Sequence, residues 1–158
     1  MTDRSPSVTG QSLSAWRPDA FSRESADTVG QSPRPLTVPR ALVVISFDID
    51  GTMEFGDPPG PVSASIAREL VDRGCILGVA SDWAVSCQGP EWARHGIAPR
   101  FVGGKHHLPA VKSRFTADRY VHVGDTAVDE HYARLAGFTF LHADQLPNPV
   151  SADAIHFA

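Results

Sequence analysis

Residues 41–47, ALVVISF, form a short unbroken apolar run that stops at Asp48-Ile49-Asp50-Gly51. A run this brief and this rich in Val and Ile predicts a strand covered on both faces, as in a parallel sheet. The pattern returns downstream. Residues 75–80 (CILGVA) predict a second strand ending at Ser81-Asp82, and residues 97–102 a weaker third that runs into Gly103-Gly104-Lys105. Residues 120–123 (YVHV) predict a fourth, ending at Gly124-Asp125-Thr126, and residues 138–141 a fifth. Between these runs the apolar spacing becomes helical. Val62, Ile66 and Leu70, with Ala67 and Val71 beside them, predict a helix stopped near Gly74. Residues 83–95 predict another, open to interruption at Gly89-Pro90 because proline lacks an amide donor. Leu108, Val111 and Phe115 mark a third with Pro109 in its first turn, and residues 127–136 a fourth closed by Gly137. Strands alternating with helices predict an α/β fold: a parallel sheet of about five strands, with helices on both faces, in a three-layer Rossmann-like sandwich.

Three stretches fall outside the pattern. Residues 1–40 are dominated by Ser, Pro, Arg, Asp and Gly and follow no period of 2 or 3.6. Such a segment buries too little apolar surface to offset its ordering entropy, so a disordered tail is expected ahead of a folded domain at 41–158. Trp16 and Phe21 read as isolated aromatics within it. Residues 53–61, MEFGDPPGP, carry the Gly and Pro density of an irregular turn, placed as a flap beside the first strand's end. Beyond about Gln145 the signal fades into Pro, Asn and Ser.

Composition narrows the function classes. The 158 residues suit one domain with a substantial core. A formal net charge of -4 provides no bulk attraction to nucleic acid or to an anionic membrane. Cys75 and Cys87 lack metal-ligand spacing and read as reduced thiols. The segment MTDRSPSVTG has no apolar signal core, and no apolar run approaches the length of a membrane span, so a soluble, cytoplasmic protein is expected.

The candidate chemistry sits at the strand ends. In order, these carry Asp48 and Asp50, Ser81, Lys105, and Asp125 with Asp129 one helical turn on. Taken singly, each aspartate after a strand reads as a helix cap. Taken together in a βα repeat that places strand ends along one edge, they make an acidic cluster. Clustered carboxylates raise one another's pKa and call for a cation, and an oxygen-only set suits Mg²⁺.

The order DIDGT (48–52), a serine closing the next strand, a lysine, and GDTAVD (124–129) resembles the haloacid dehalogenase-like superfamily of phosphohydrolases. The similarity runs over about residues 41–141. It implies Asp48 as the nucleophile that forms an aspartyl-phosphate and Asp50 as general acid and base. The resemblance further implies phosphate contacts from Ser81, Lys105 and Thr52. Mg²⁺ would be held by Asp48, the backbone carbonyl of Asp50 and Asp125, with Asp129 in support. Lys112 competes for the lysine role but lies further along its helix than Lys105.

The intervals 52–81 and 81–105 are filled by a flap, two helices and two strands, leaving no room for the inserted cap domain common in that superfamily. An open site suits a bulky phosphorylated substrate, such as a phosphoprotein, glycan or nucleic-acid end. His106, His107, His122 and His131 read as packing or surface residues rather than zinc ligands. Two other classes compete. A phosphoaspartate receiver would place its acidic pair and its phosphorylated aspartate on different strands, without DIDGT. A binding protein that keeps the fold without turnover has no positive sign in its favour.

Overall fold

The computed structural model describes residues 40–146. The expected tail at 1–40 lies, but for Arg40, outside the described residues, as do residues 147–158. Five strands form one all-parallel sheet: β1 (Val43–Phe47), β2 (Ile76–Ala80), β3 (Val102–Gly103), β4 (Arg119–Gly124) and β5 (Thr139–His142), in the order β3-β2-β1-β4-β5. Four helices connect them: α1 (Ala64–Asp72), α2 (Val85–Arg94), α3 (Leu108–Arg114) and α4 (Ala127–Ala136).

Every residue of β1 is buried, as its unbroken apolar run requires. Successive side chains on a strand point to opposite faces, so β1 serves two cores. Val43, Ile45, Phe47 and Ile49 pack with Ile66 and Leu70 of α1 and Trp92 of α2. Val44 belongs to the other layer, with Leu108 and Val111 from α3 and Ala133 and Ala136 from α4. Ser46 and Asp48 share that second face with Val44, which directs them toward α3 and α4.

The helix ends follow their local chemistry. Ser63 caps α1 by accepting from Ile66 N–H, and Thr126 caps α4 by accepting from Asp129 N–H. Gly137, at φ 71, closes α4 in the left-handed conformation. Pro90 lies inside α2 without ending it.

The weakest strand expectation needs correction. The third strand is only Val102–Gly103, not residues 97–102. Ile97 is buried in the core, but Ala98-Pro99 follow it, and proline's missing amide donor leaves hydrogen bonding to β2 to begin at Arg100, whose N–H reaches Leu77 O at 2.7 Å. No inserted domain interrupts residues 52–105, where the flap, α1, β2 and α2 account for the chain up to β3. Among the described residues, no helix is long and apolar enough to cross a membrane. Cys75 and Cys87 are both unbridged.

Candidate active site

Successive connections run outward on one side of β1 (β1 to β2 to β3), and then the chain crosses back to β4 on the other side. That reversal leaves a crevice beyond the carboxyl ends of β1 and β4. Asp48 sits at its base: its N–H continues the ladder to Val123 O at 2.9 Å, and the residue is 4 % exposed. Lys105 opens a single 3₁₀ turn, Lys105–His107, directly after β3. Its Nζ lies 3.4 Å from Asp48, 2.8 Å from Asp129 and 3.2 Å from Asp82. Lys112 is elsewhere, with its Nζ donating to Gly137 O at 3.1 Å and lying over the Tyr120 ring. The lysine at the site is Lys105.

One carboxylate oxygen each from Asp48, Asp125 and Asp129 lie within 4.8 Å of one another. Two glycines make this approach possible. A Cβ on Gly51, already at φ +68, would stand 2.0 Å from Asp125 Oδ2, and one on Gly124 would stand 2.4 Å from Asp129 Cβ. Thr52 is fully buried, and its hydroxyl meets Asp125 Oδ1 at 3.5 Å. Thr52 therefore touches the acidic cluster through Asp125, and it is not among the residues lining the cavity beside Asp48. Ser81, 2 % exposed, hydrogen-bonds Asp48.

Asp50 faces another way. Its Oδ1 accepts from Asp57 N–H and its Oδ2 from the Trp83 indole N–H, both at 2.8 Å. Its carboxylate is thus held by the flap and by the loop after β2, outside the three-aspartate cluster. The flap itself is a packed element. Met53 bridges Val62, Glu54 accepts from Ala64 N–H at 2.8 Å, and the Phe55 ring stacks on His95 at 4.1 Å.

The electrostatics separate the buried groups. Burial and then the charge of Asp129 push the Asp48 carboxyl upward, and Lys105 with the hydrogen bonds from Ile49 and Ser81 does not cancel them. Burial acts on Asp129 too, but hydrogen bonds from His122, Lys105 and Thr126 outweigh it and hold that carboxyl well below the usual range. Burial opposes the Lys105 charge, yet Asp129, Asp48 and Asp82 together hold the ammonium above an ordinary lysine.

Ser46, Trp83 and Gln88 carry contacts that the sequence pattern did not assign, and His122, expected as a packing residue, also bonds within the site. His122 is fully buried, with Nδ1 2.7 Å from Ser46 Oγ and Nε2 3.3 Å from Asp129 Oδ1. A carboxylate only accepts, so Nε2 donates to Asp129. Ser46 and His122 are register partners on neighbouring strands, a pairing that local spacing does not reveal. Trp83 holds Asp50. Gln88, also fully buried, donates to the carbonyls of Ser81, Trp83 and Gly103 and accepts from Gly103 N–H, tying the β2 loop to β3. A glutamine on the inward face of a predicted helix was the available signal.

The acidic set fits a hard divalent ion. Oxygen-only donors brought within 4.8 Å of one another are the kind of set that Mg²⁺ takes, with waters and a phosphate completing its shell. Burial and then the charge of Asp129 disfavour the Asp48 anion, and a bound cation would offset both. The cavity above holds about 290 Å³ and is lined by Asp48, Asp50, Pro58, Asp82, Lys105 and Asp125, with Gly51, Thr126 and Val128. Fold and site together define an α/β protein with an acidic, lysine-centred pocket at the switch point of a parallel sheet. Comparison of the chain with protein-family models, curated proteins and solved structures finds no match in any of the three.

Proposed function

We propose that this chain is a Mg²⁺-dependent phosphomonoesterase of the haloacid dehalogenase-like type, without a cap domain. The observation that supports it best is the division of labour between two carboxylates two residues apart. Asp48 is buried against Lys105 within the acidic cluster, whereas Asp50 is turned to the mouth and held at both oxygens. A nucleophile and a proton carrier need those two environments.

In the first displacement Asp48 attacks phosphorus, and the bond from phosphorus to the ester oxygen breaks with its electron pair going to that oxygen. Asp50 supplies the proton to the leaving alcohol. In the second, Asp50 takes a proton from water as the water oxygen attacks phosphorus, and the bond to Asp48 breaks to release phosphate. Lys105 neutralises charge on the phosphoryl oxygens and keeps Asp48 oriented, and the Ser81 hydroxyl faces the same carboxylate. Mg²⁺ held by Asp48 and Asp125, with Asp129 in support through Lys105, would supply charge neutralisation on the phosphoryl group.

The test is hydrolysis of an aryl phosphate by the full chain with Mg²⁺, with EDTA, and in Asp48→Asn. Activity that requires Mg²⁺ and disappears in the variant supports the assignment. Turnover that persists in Asp48→Asn would remove Asp48 from the role of nucleophile.

A further inference from the structure

Most of the described cations lie at the edge where the strands start, beside Glu69, Asp72, Glu91 and Asp118, whereas carboxylates dominate the edge where the strands end. Arg40, Arg100 and Arg119 lie at or just before strand starts, and Arg94, Arg114 and Arg134 occupy the last turns of α2, α3 and α4. Helices in this fold run against the strands, so their carboxyl ends lie at the same edge as the strand starts. Arg68 and Lys112 reach that edge as well, donating to His95 O and Gly137 O beyond the ends of α2 and α4. The opposite edge, where the cavity opens, carries Asp48, Asp50, Asp82 and Asp125, with Asp57 on the flap and Glu130 in the first turn of α4. Among the described residues, Lys105 is the one Lys or Arg lining the cavity, and three carboxylates already share its charge. The imidazoles at this edge are His106 and His107, whose rings lie tilted against each other, and His142, whose Nε2 lies 3.1 Å from Asp125 O.

A phosphoryl group at Asp48 would use the charge of Lys105 and the ion. Whatever the phosphate is attached to then lies over the rim, where the Asp82 side chain is 81 % exposed and Val128 is 51 % exposed. A second phosphate or a carboxylate on that portion meets Asp82, and among the described residues lining the cavity the one ammonium, Lys105, is already shared by three carboxylates. An amine meets Asp82 favourably, and an apolar group meets Val128 and Pro58.

Resting on the phosphomonoesterase reading, we propose that the rim, and Asp82 in particular, selects phosphomonoesters whose leaving group carries no negative charge, cationic amino alcohols ahead of neutral alcohols. Nucleic-acid ends and multiply phosphorylated molecules are disfavoured by the same charges. Like charges held close at a protein surface cost roughly tenfold in affinity each.

The test uses full-length protein with Mg²⁺ and three esters: phosphocholine, phenyl phosphate and 3-phosphoglycerate. Binding is measured by calorimetry on Asp48→Asn, and kcat/KM on the wild type. The expected order is cationic, neutral, anionic, with roughly tenfold between steps. Rising ionic strength compresses it, and Asp82→Asn reduces the penalty on 3-phosphoglycerate most. Turnover with equal or reversed preference overturns the selection and leaves the phosphatase. The expected binding order without turnover of any ester overturns the phosphatase and leaves the selection. Neither binding nor turnover overturns both.

Discussion

Asp48 and Asp129 approach the same ammonium and are both buried, yet their carboxyls move in opposite directions from the ordinary value. The difference lies in how many donors each one meets. Asp129 accepts from Thr126 N–H at 3.0 Å, Thr126 Oγ1 at 2.5 Å, His122 and Lys105, which occupy both of its oxygens. Asp48 has a more distant Lys105 and the hydrogen bonds from Ile49 and Ser81, and burial prevails. A carboxylate has about four acceptor sites. One aspartate has committed them to the protein and anchors the lysine, whereas the other keeps lone pairs available for a ligand or an electrophile.

The contrast breaks most sharply at Asp48. Asp48→Asn is expected to lower hydrolysis by about 10³-fold or more, as loss of a nucleophile does, and yet to raise the melting temperature in EDTA at neutral pH. A folded carboxyl pushed above its unfolded value makes the charged form unfavourable to folding, and the amide removes that charge while Lys105 and Asp129 remain a balanced pair. A lower melting temperature in EDTA would end the distinction between the two aspartates.

Asp129→Asn should do the reverse and cost about 3 kcal/mol, because it leaves a buried ammonium without its closest partner. In thermal unfolding that corresponds to a fall of roughly 10 °C. The sign with pH follows from the depressed carboxyl. Its contribution is present above the unfolded carboxylate value of about 3.9 and is lost as pH falls through the lower folded value. Denaturant titrations from neutral to acid pH should therefore be flatter for Asp129→Asn than for the wild type, and an unchanged slope would count against the role given to this residue.

The smallest effect is expected at Trp83. Trp83→Phe keeps the ring and removes the donor to Asp50, so turnover of esters with poor leaving groups should fall about tenfold, a fraction of what general acid catalysis contributes. Aryl esters with good leaving groups should change less. A uniform loss across leaving groups would point to packing instead.

The strand and helix pattern was legible because burial of a parallel strand and of a helix face leaves a local period in the residues. β1, β2, β4 and the caps at Gly74 and Gly137 follow from it. The edge strand failed for the same reason: β3 pairs over two residues, too few to impose a period, and the buried Ile97 that imitates a strand lies in the preceding loop. At the site, Asp48, Asp50, Ser81, Lys105 and Asp125 could be listed in advance because each follows a strand closely, and Asp129 because it stands in the first turn of the helix after β4. Their orientations could not.

By itself the sequence determined an α/β alternation and brought a set of carboxylates, a hydroxyl and a lysine to one edge of a sheet. Only the tertiary structure decided that Asp50 is held by Trp83, that Ser46 and His122 stand behind Asp129, that Gln88 ties the loop after β2 to β3, and that Lys105 alone among the described Lys and Arg lines the cavity. Those arrangements join residues far apart along the chain. No local period encodes such contacts; they exist once strand register and helix packing bring the side chains together.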